Sequence, residues 1–202
     1  MYPGDVVAVL TAAGRSSRMG RPKALLEWRG MPLITHQIRA LQHLREVVVV
    51  LGHEADAIRP FLPVAANVRV FEHPDYDQGR TSSLLAAFKV IGGEPAGVLV
   101  VAVDQPLIPG VLDRLLFEHR PCAPIAVPAY NGQRGHPVLF RGDLLPDLRA
   151  ISEEREGLRE VVQRHRADRQ EVLVDDPGIC LDLNLPREYH AAHAARGPFP
   201  GH

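Results

Sequence analysis

The sequence predicts a three-layer α/β/α domain, in which a mostly parallel mixed sheet with an antiparallel hairpin addition is covered by helices on both faces. Three observations predict it. Short Val-rich apolar runs alternate with stretches of helical periodicity along the chain. Such alternation gives right-handed βαβ units and therefore parallel strands. The apolar runs lack strict in–out alternation, as strands covered on both faces do. The chain also has 202 residues, 46% hydrophobic and 23% charged, enough to bury one core without a metal or a disulfide framework.

Each element follows from its local pattern. Residues 5–11 (DVVAVLT) are a β-branched run that ends in the small cluster Ala12-Ala13-Gly14 and a basic stretch to Lys23. Leu33, Ile34, Ile38 and Leu41 keep helical spacing behind Pro32, a favoured first-turn residue. Glu46–Leu51 (EVVVVL) is a buried-type strand closed by Gly52. Residues 54–61 read as a short helix and 67–71 as a strand. Thr81-Ser82-Ser83 can cap a helix that puts Leu84, Ala87, Phe88 and Ile91 on one face. Residues 97–103 (GVLVVAV) are the clearest buried strand, stopping at Asp104-Gln105-Pro106, and Val111, Leu112, Leu115 and Leu116 mark the next helix. Segments 124–127 and 137–140 flank Asn131-Gly132, which suggests a hairpin with a somewhat longer loop. A helix around 155–164, short strands at 170–174 and 180–183, and a helix over 188–196 complete a single domain of residues 1–196. Residues 197–202 (GPFPGH) read as a flexible tail.

Composition removes several functions. A net charge of −1 gives no electrostatic reason to expect nucleic acid as a partner. No run approaches the 18 apolar residues of a membrane span. The start, MYPGDVVAVLTAAG, has no basic region ahead of its apolar run, so no signal peptide is read and a cytoplasmic location is expected. Cys122 and Cys180 are far apart with no CxxC, a poor basis for a zinc site or a disulfide.

In parallel sheets ligands bind beyond the carboxyl ends of the strands, and the unusual residues sit there. Residues 12–23 (AAGRSSRMGRPK) match neither the P-loop nor the dinucleotide fingerprint, yet they suit a polyphosphate. Small residues let the backbone approach a nucleotide, Gly14 and Gly20 permit turns that aim N–H groups inward, and Arg15, Arg18, Arg21 and Lys23 supply cations. Lys23 is one of only two lysines, the other being Lys89. A solvated basic loop is the plainer alternative. Asp104, at the end of a buried strand, either caps a turn or binds a metal. In Asp182-Leu183-Asn184 the alternation points both polar side chains to one side of a short strand. A phosphate loop with two separate oxygen-donor sites is what magnesium–nucleotide chemistry needs, because Mg²⁺ takes few protein oxygens and fills its shell with phosphate and water.

The stretch LTAAGRSSRMGRPKALLEW resembles the signature LAAGxSxRMGxxK of the nucleotidyltransferases that build the molybdenum cofactor dinucleotide. Gly79-Arg80-Thr81-Ser82-Ser83-Leu84 is similar to that family's G-x-x-x-S-[LV] segment, and 101–107 (VAVDQPL) to its metal-binding turn. Residues 132–137 (GQRGHP) are similar to GxRGHP of the cytidylyltransferase-like branch, and 182–189 (DLNLPREY) to the closing D-[IV]-[DN]-T-P-E-D-[YL]. Leu185 departs from the usual Thr, and Arg187-Glu188 from Glu-Asp.

The resemblance implies a Rossmann-like nucleotidyltransferase fold and a set of roles. The loop 14–23, including Gly14, Ser16 and Ser17, wraps the triphosphate, with Arg15 and Lys23 on the phosphates as catalytic cations. Ala12, Ala13, Gly79 and Ser83 hold base and ribose. Asp104 is the principal Mg²⁺ ligand and Asn184 the second, with Asp182 nearby on the acceptor side. His136 either contacts the acceptor's phosphate or is a structural residue before Pro137. The implied partners are a nucleoside triphosphate, a phosphorylated acceptor (molybdopterin) and a client molybdoenzyme. The implied reaction transfers a nucleoside monophosphate from CTP, or another triphosphate such as GTP, and releases pyrophosphate. Alternatives are a nucleotidyltransferase for another small phosphorylated acceptor and a non-catalytic cofactor carrier. Two further features read as structural: His190 and His193 as a solvated helix face, and Trp28 as core.

Overall fold

The structure, a computed structural model, describes residues 1–196. The expected tail, 197–202, lies outside the described residues. Ten strands and seven α-helices follow in chain order. The first half contains β1 (Val6–Ala12), β2 (Glu27–Trp28), β3 (Met31–Pro32), α1 (Leu33–Leu41), β4 (Glu46–Leu51), α2 (Ala55–Ile58), β5 (Val68–Glu72), α3 (Arg80–Val90) and β6 (Gly97–Ala102). The second contains α4 (Val111–Phe117), β7 (Ile125–Tyr130), β8 (Gln133–Arg134), β9 (Val138–Arg141), α5 (Leu145–Arg149), α6 (Leu158–Arg164), β10 (Gln170–Leu173) and α7 (Pro186–Arg196).

The main sheet has the order β10-β7-β9-β6-β1-β4-β5, with β8 paired to β7. Strands β6, β1, β4 and β5 are parallel, and β9 runs antiparallel between β6 and β7. The sheet is therefore mixed, as expected. Alternate residues feed two cores. Ala8, Leu10, Val47, Val49, Leu99 and Val101 pack with Leu33, Ile38, Leu112 and Ala192 on one face. Val7, Val9, Val48, Val50 and Val98 pack with Leu84, Phe88, Leu148 and Val161 on the other. Both faces of the central strands are thus dry, which is why their sequences do not alternate.

The structure departs from the sequence expectation at three places. The helix expected over 54–61 becomes α2 and a separate 3-10 turn at Arg59–Phe61, because Pro60 has no N–H with which to continue the i→i−4 ladder. The hairpin around Asn131-Gly132 is tighter than expected. Both residues have positive φ, 48° and 78°, and join β7 directly to β8 across Tyr130 and Gln133, the backbone that a two-residue turn needs. Residues 180–183 are not a strand. A 3-10 turn occupies Pro177–Cys180, and the extended segment after it reaches the sheet through one ladder-like bond, from the Leu183 N–H to the Asp104 carbonyl at 2.9 Å.

Trp28 is 2% exposed, a core residue as read. Cys122 and Cys180 are free and exposed. Among the described residues, no helix is long and apolar enough to cross a membrane.

One buried histidine makes the fold sensitive to acid. His36, on α1, is 7% exposed, and its burial, helped by the charge of Arg29, pushes its pKa from 6.5 down to about 4. The folded state favours the neutral ring. Its stabilising contribution is complete above the unfolded value of 6.5 and is lost as pH falls from there towards 4. Urea unfolding between these pH values is expected to show this loss, up to about 3 kcal/mol, and the loss is expected to shrink in His36→Leu. An acid limb of equal depth in both proteins would remove His36 as its cause.

Candidate active site

Strand β1 is the point where the sheet reverses direction of growth: the chain goes on to β4 on one side and later returns to β6 on the other. A crevice opens beyond the carboxyl ends of strands at such a point. Here it is a cavity of about 280 Å³ lined by Ala12, Ala13, Gly14, Ser16, Lys23, Gly79, Arg80, Ser83 and Asp104, among others. Eight of those nine residues were singled out from the sequence, and the structure brings them to one cleft.

The loop after β1 owes its path to local bonds. Ser16 has φ 52°, and its carbonyl accepts from the Met19 N–H at 2.8 Å. Its hydroxyl accepts from the Lys23 N–H at 3.1 Å, so the loop closes on itself. Gly20, at φ 72°, takes the left-handed turn that a side chain would resist. Gly14 needs no such conformation and lies open to the cleft, with nothing within 4 Å of a Cβ built there.

The Lys23 ammonium donates to Asp104 Oδ2 and to Asn184 Oδ1, each at 2.7 Å. One cation thus gathers two oxygens from positions 80 residues apart in the chain. The Lys23 and Asp104 side chains are only 13% and 21% exposed, which makes this pair stronger than a surface salt bridge. Asn184 is itself held: Glu188 Oε2 accepts from the N–H groups of Asn184 and Leu185 at 3.0 Å, capping α7. Asn184 thus meets Lys23, and Asp182 accepts from the Gln105 side chain, although the segment is not a strand.

The turn that presents Asp104 is fixed from α1. Gln37, fully buried, donates to the carbonyls of Ala102 at 3.2 Å and Gln105 at 2.8 Å, and its Oε1 accepts from the Leu107 N–H at 2.8 Å. Beside it, the Gln105 side-chain amide donates to His136 Nε2 at 2.7 Å and to Asp182 Oδ1 at 2.9 Å. With Nε2 accepting, the imidazole is neutral. Burial also pushes the His136 pKa down, opposed by the charge of Asp182. Gly135 before it packs on Ile179, whose carbonyl oxygen would lie 2.2 Å from an added Cβ, so no other residue fits there without movement. Gln37 and Gln105 were not chosen from the sequence.

Five predicted residues do not line the cavity: Asn184, Asp182 and His136, which reach it only through Lys23 and Gln105, and Arg15 and Ser17. Arg15 points away and forms a two-point pair with Asp77 at 2.6 and 2.7 Å, with its guanidinium 5.7 Å from the centre of the Tyr76 ring. Both partners are more than half exposed. Ser17 is exposed in the loop. His193 is not simply solvated, since its Nε2 lies 2.7 Å from Glu27 Oε2. Among the described residues, no three His, Cys, Asp or Glu side chains are grouped to hold a metal. The donor set available to a cation is therefore Asp104 and Asn184, two hard oxygens already converging on one positive charge. That set fits Mg²⁺, which needs only one or two protein oxygens.

Known proteins are similar to this chain in sequence and fold. The profile of the MobA-like NTP transferase domain matches residues 8–170. The molybdenum cofactor cytidylyltransferase of Escherichia coli (strain K12) is 28% identical over 91% of this chain and 93% of its own length. A molybdenum cofactor guanylyltransferase from Rhizobium leguminosarum bv. trifolii is 32% identical over 80% of this chain and 76% of its own. Rv0371c from Mycobacterium tuberculosis H37Rv superposes with a TM-score of 0.78 at 26% identity, covering 93% of this chain and 96% of that one. A structure of Rv0371c in complex with manganese gives 0.72 at 27%, covering 92% and 96%. The matched region begins inside β1 and ends at β10, so it takes in every strand that shapes the cleft, and the chain belongs to the MobA-like NTP transferase domain family of nucleotidyltransferases.

Proposed function

We propose that this nucleotidyltransferase transfers CMP from CTP to the terminal phosphate of molybdopterin and releases pyrophosphate. The observation that carries the reading is the convergence of Lys23, Asp104 and Asn184 at the mouth of a cleft lined by the Gly14–Lys23 loop. Both classes of molybdenum cofactor relative cover most of this chain and support the acceptor. The choice of CTP rests on Ala13, which keeps a methyl group where the guanylyl branch has glycine, and on the GHP segment. Ala13 is 5% exposed and lines the cleft, so its methyl narrows the space that a purine would need.

The acceptor's phosphate is already anionic at neutral pH, so no general base is required. One of its oxygens bonds to the α-phosphorus, while the bond from that phosphorus to the bridging oxygen breaks and pyrophosphate leaves with the electron pair. The chain's task is to hold two anions in line and to meet the accumulating charge with fixed partners. The loop N–H groups and Lys23 hold the β- and γ-phosphates. Ala12, Gly79 and Ser83 hold the nucleoside. Asp104 and Asn184 would hold Mg²⁺, which when bound neutralises phosphate charge in the transition state. Gln105 keeps His136 neutral and Asp182 oriented on the acceptor side. Arg15 sits at the rim, where release from Asp77 would let it reach a phosphate.

The direct test incubates the purified chain with Mg²⁺, each nucleoside triphosphate in turn, and molybdopterin, and identifies products by mass. A CMP adduct with equimolar pyrophosphate is expected. A GMP adduct would overturn the choice of nucleotide, and no adduct with any triphosphate would overturn the acceptor.

A further inference from the structure

We propose that Tyr76 is the wall against which the base of the bound nucleoside triphosphate packs. The inference rests on the nucleotidyl-transfer reading above and adds to it a residue that the sequence motifs leave unassigned.

Tyr76 supplies the only aromatic ring lining the cleft among the described residues. It follows β5 in the chain, yet its side chain lies over the end of β4. A Cβ added to Gly52, the residue directly after β4, would stand 2.7 Å from Tyr76 Cβ and Cγ and 2.8 Å from the Ala13 carbonyl oxygen. The missing side chain at Gly52 therefore lets the tyrosine and the Ala13 backbone come together. Other contacts fix the ring. The Arg15 guanidinium, held by Asp77, lies 5.7 Å from its centre. The His53 ring is centred 5.9 Å away, and His53 Nδ1 is 3.4 Å from the tyrosine hydroxyl. The Tyr76 carbonyl accepts from the Gly79 N–H at 3.2 Å, which ties the residue to the start of α3. An aromatic ring fixed in this way meets a ligand with little further loss of freedom.

The sheet sets which part of the nucleotide arrives there. Strands β6, β1 and β4 are parallel neighbours, so Asp104, Ala13 and Gly52 stand beyond three adjacent carboxyl ends. Asp104 and Gly52 are thus two strand spacings apart, about 10 Å. With the α-phosphate at the Asp104 end and the β- and γ-phosphates held by the Gly14–Lys23 loop, the ribose and base run across the end of β1 towards Gly52, and the base reaches Tyr76. Ala13 and Ile58 line the same cavity and add apolar contact. A base has a π-face and gains affinity by packing on an aromatic ring, whereas a phosphate does not. The aromatic wall and the cation–carboxylate cluster of Lys23 and Asp104 therefore serve different ends of one ligand.

Calorimetric titrations into the full chain with Mg²⁺ test the proposal, using CTP and inorganic tripolyphosphate, which carries the phosphates without a base. Tyr76→Ala is expected to weaken CTP about 10-fold, the size of one base–aromatic contact, and to leave tripolyphosphate within about twofold. Tyr76→Leu, which keeps apolar bulk against Gly52 without the ring, is expected to weaken CTP as well, and it carries the test if Tyr76→Ala does not fold. Tyr76→Phe, which keeps the ring and loses the hydroxyl, is expected to bind CTP as the wild type does. Unchanged CTP affinity in a folded Tyr76→Ala or Tyr76→Leu would overturn the inference. So would equal losses for CTP and tripolyphosphate, which would move the effect to the phosphates. A loss in Tyr76→Phe as large as in Tyr76→Ala would assign the effect to the hydroxyl and its His53 partner, and would overturn it too. If the wild-type chain prefers another nucleoside triphosphate, the choice of CTP fails, and the same comparison made with that triphosphate still decides the role of Tyr76.

Discussion

Asp104→Ala is expected to lower pyrophosphate release about 10²–10³-fold at saturating Mg²⁺, the cost of losing one preorganised charge contact in the transition state. Asp104 supplies the only carboxylate lining the cleft among the described residues, and Asn184 cannot replace its charge. The fold is expected to survive, because the backbone bonds of this turn do not involve the carboxylate: the Asp104 carbonyl accepts from Leu183, and Gln37 holds the flanking carbonyls. Asp104→Asn sharpens the test. It can still accept from Lys23, so an equal loss in this variant assigns the effect to the charge rather than to the bond. Turnover is read by a coupled pyrophosphate assay, with unfolding curves to show that both variants are folded. Wild-type turnover in a folded Asp104→Ala would remove Asp104 from the reacting centre.

The sequence was most legible where burial leaves little choice. β1, β4 and β6 appear as unbroken apolar runs because both faces are covered, and the two ends that matter, Ala12–Lys23 and Asp104, stand out because small, cationic or acidic residues follow such runs abruptly. What supports those ends was not legible. Gln37 is a polar residue on an otherwise apolar helix face, and its three partners lie 65 to 70 positions away, so no local pattern announces it. Gln105 looks like a turn residue until His136 and Asp182 arrive beside it from separate segments. Arg15 shares a loop with Lys23, but the left-handed Ser16 that follows it and the carboxylate of Asp77, 62 positions on, send it to the rim. Spacing reports which residues share a loop, whereas backbone handedness and distant partners set where each one points. The 180–183 segment shows the same limit: its alternation suggested a strand, but a strand also requires a neighbour with free bonding groups, and the segment meets the sheet through the Asp104 carbonyl.

Lys23→Ala is expected to reduce kcat/KM for CTP about 10²–10³-fold, and a second readout separates the two things Lys23 can do. In the structure its ammonium occupies the point between Asp104 Oδ2 and Asn184 Oδ1, 2.7 Å from each. A divalent cation using those oxygens and an ammonium at that point repel one another, and at this degree of burial water screens them weakly. If Lys23 serves the phosphates, its removal frees the two oxygens, so Mn²⁺ affinity measured by electron paramagnetic resonance should hold or tighten while turnover collapses. If Lys23 instead serves only to keep the two side chains together, both oxygens drift in the variant, and metal affinity should fall with activity. The capping of α7 by Glu188 argues for the first outcome, because it fixes the backbone of Asn184 without help from Lys23, and Gln37 does the same for Asp104. Both oxygen donors are thus anchored independently of the lysine, which leaves its charge free to act on the nucleotide. A parallel loss of Mn²⁺ binding and turnover would assign Lys23 to the scaffold and leave the triphosphate to the loop's N–H groups.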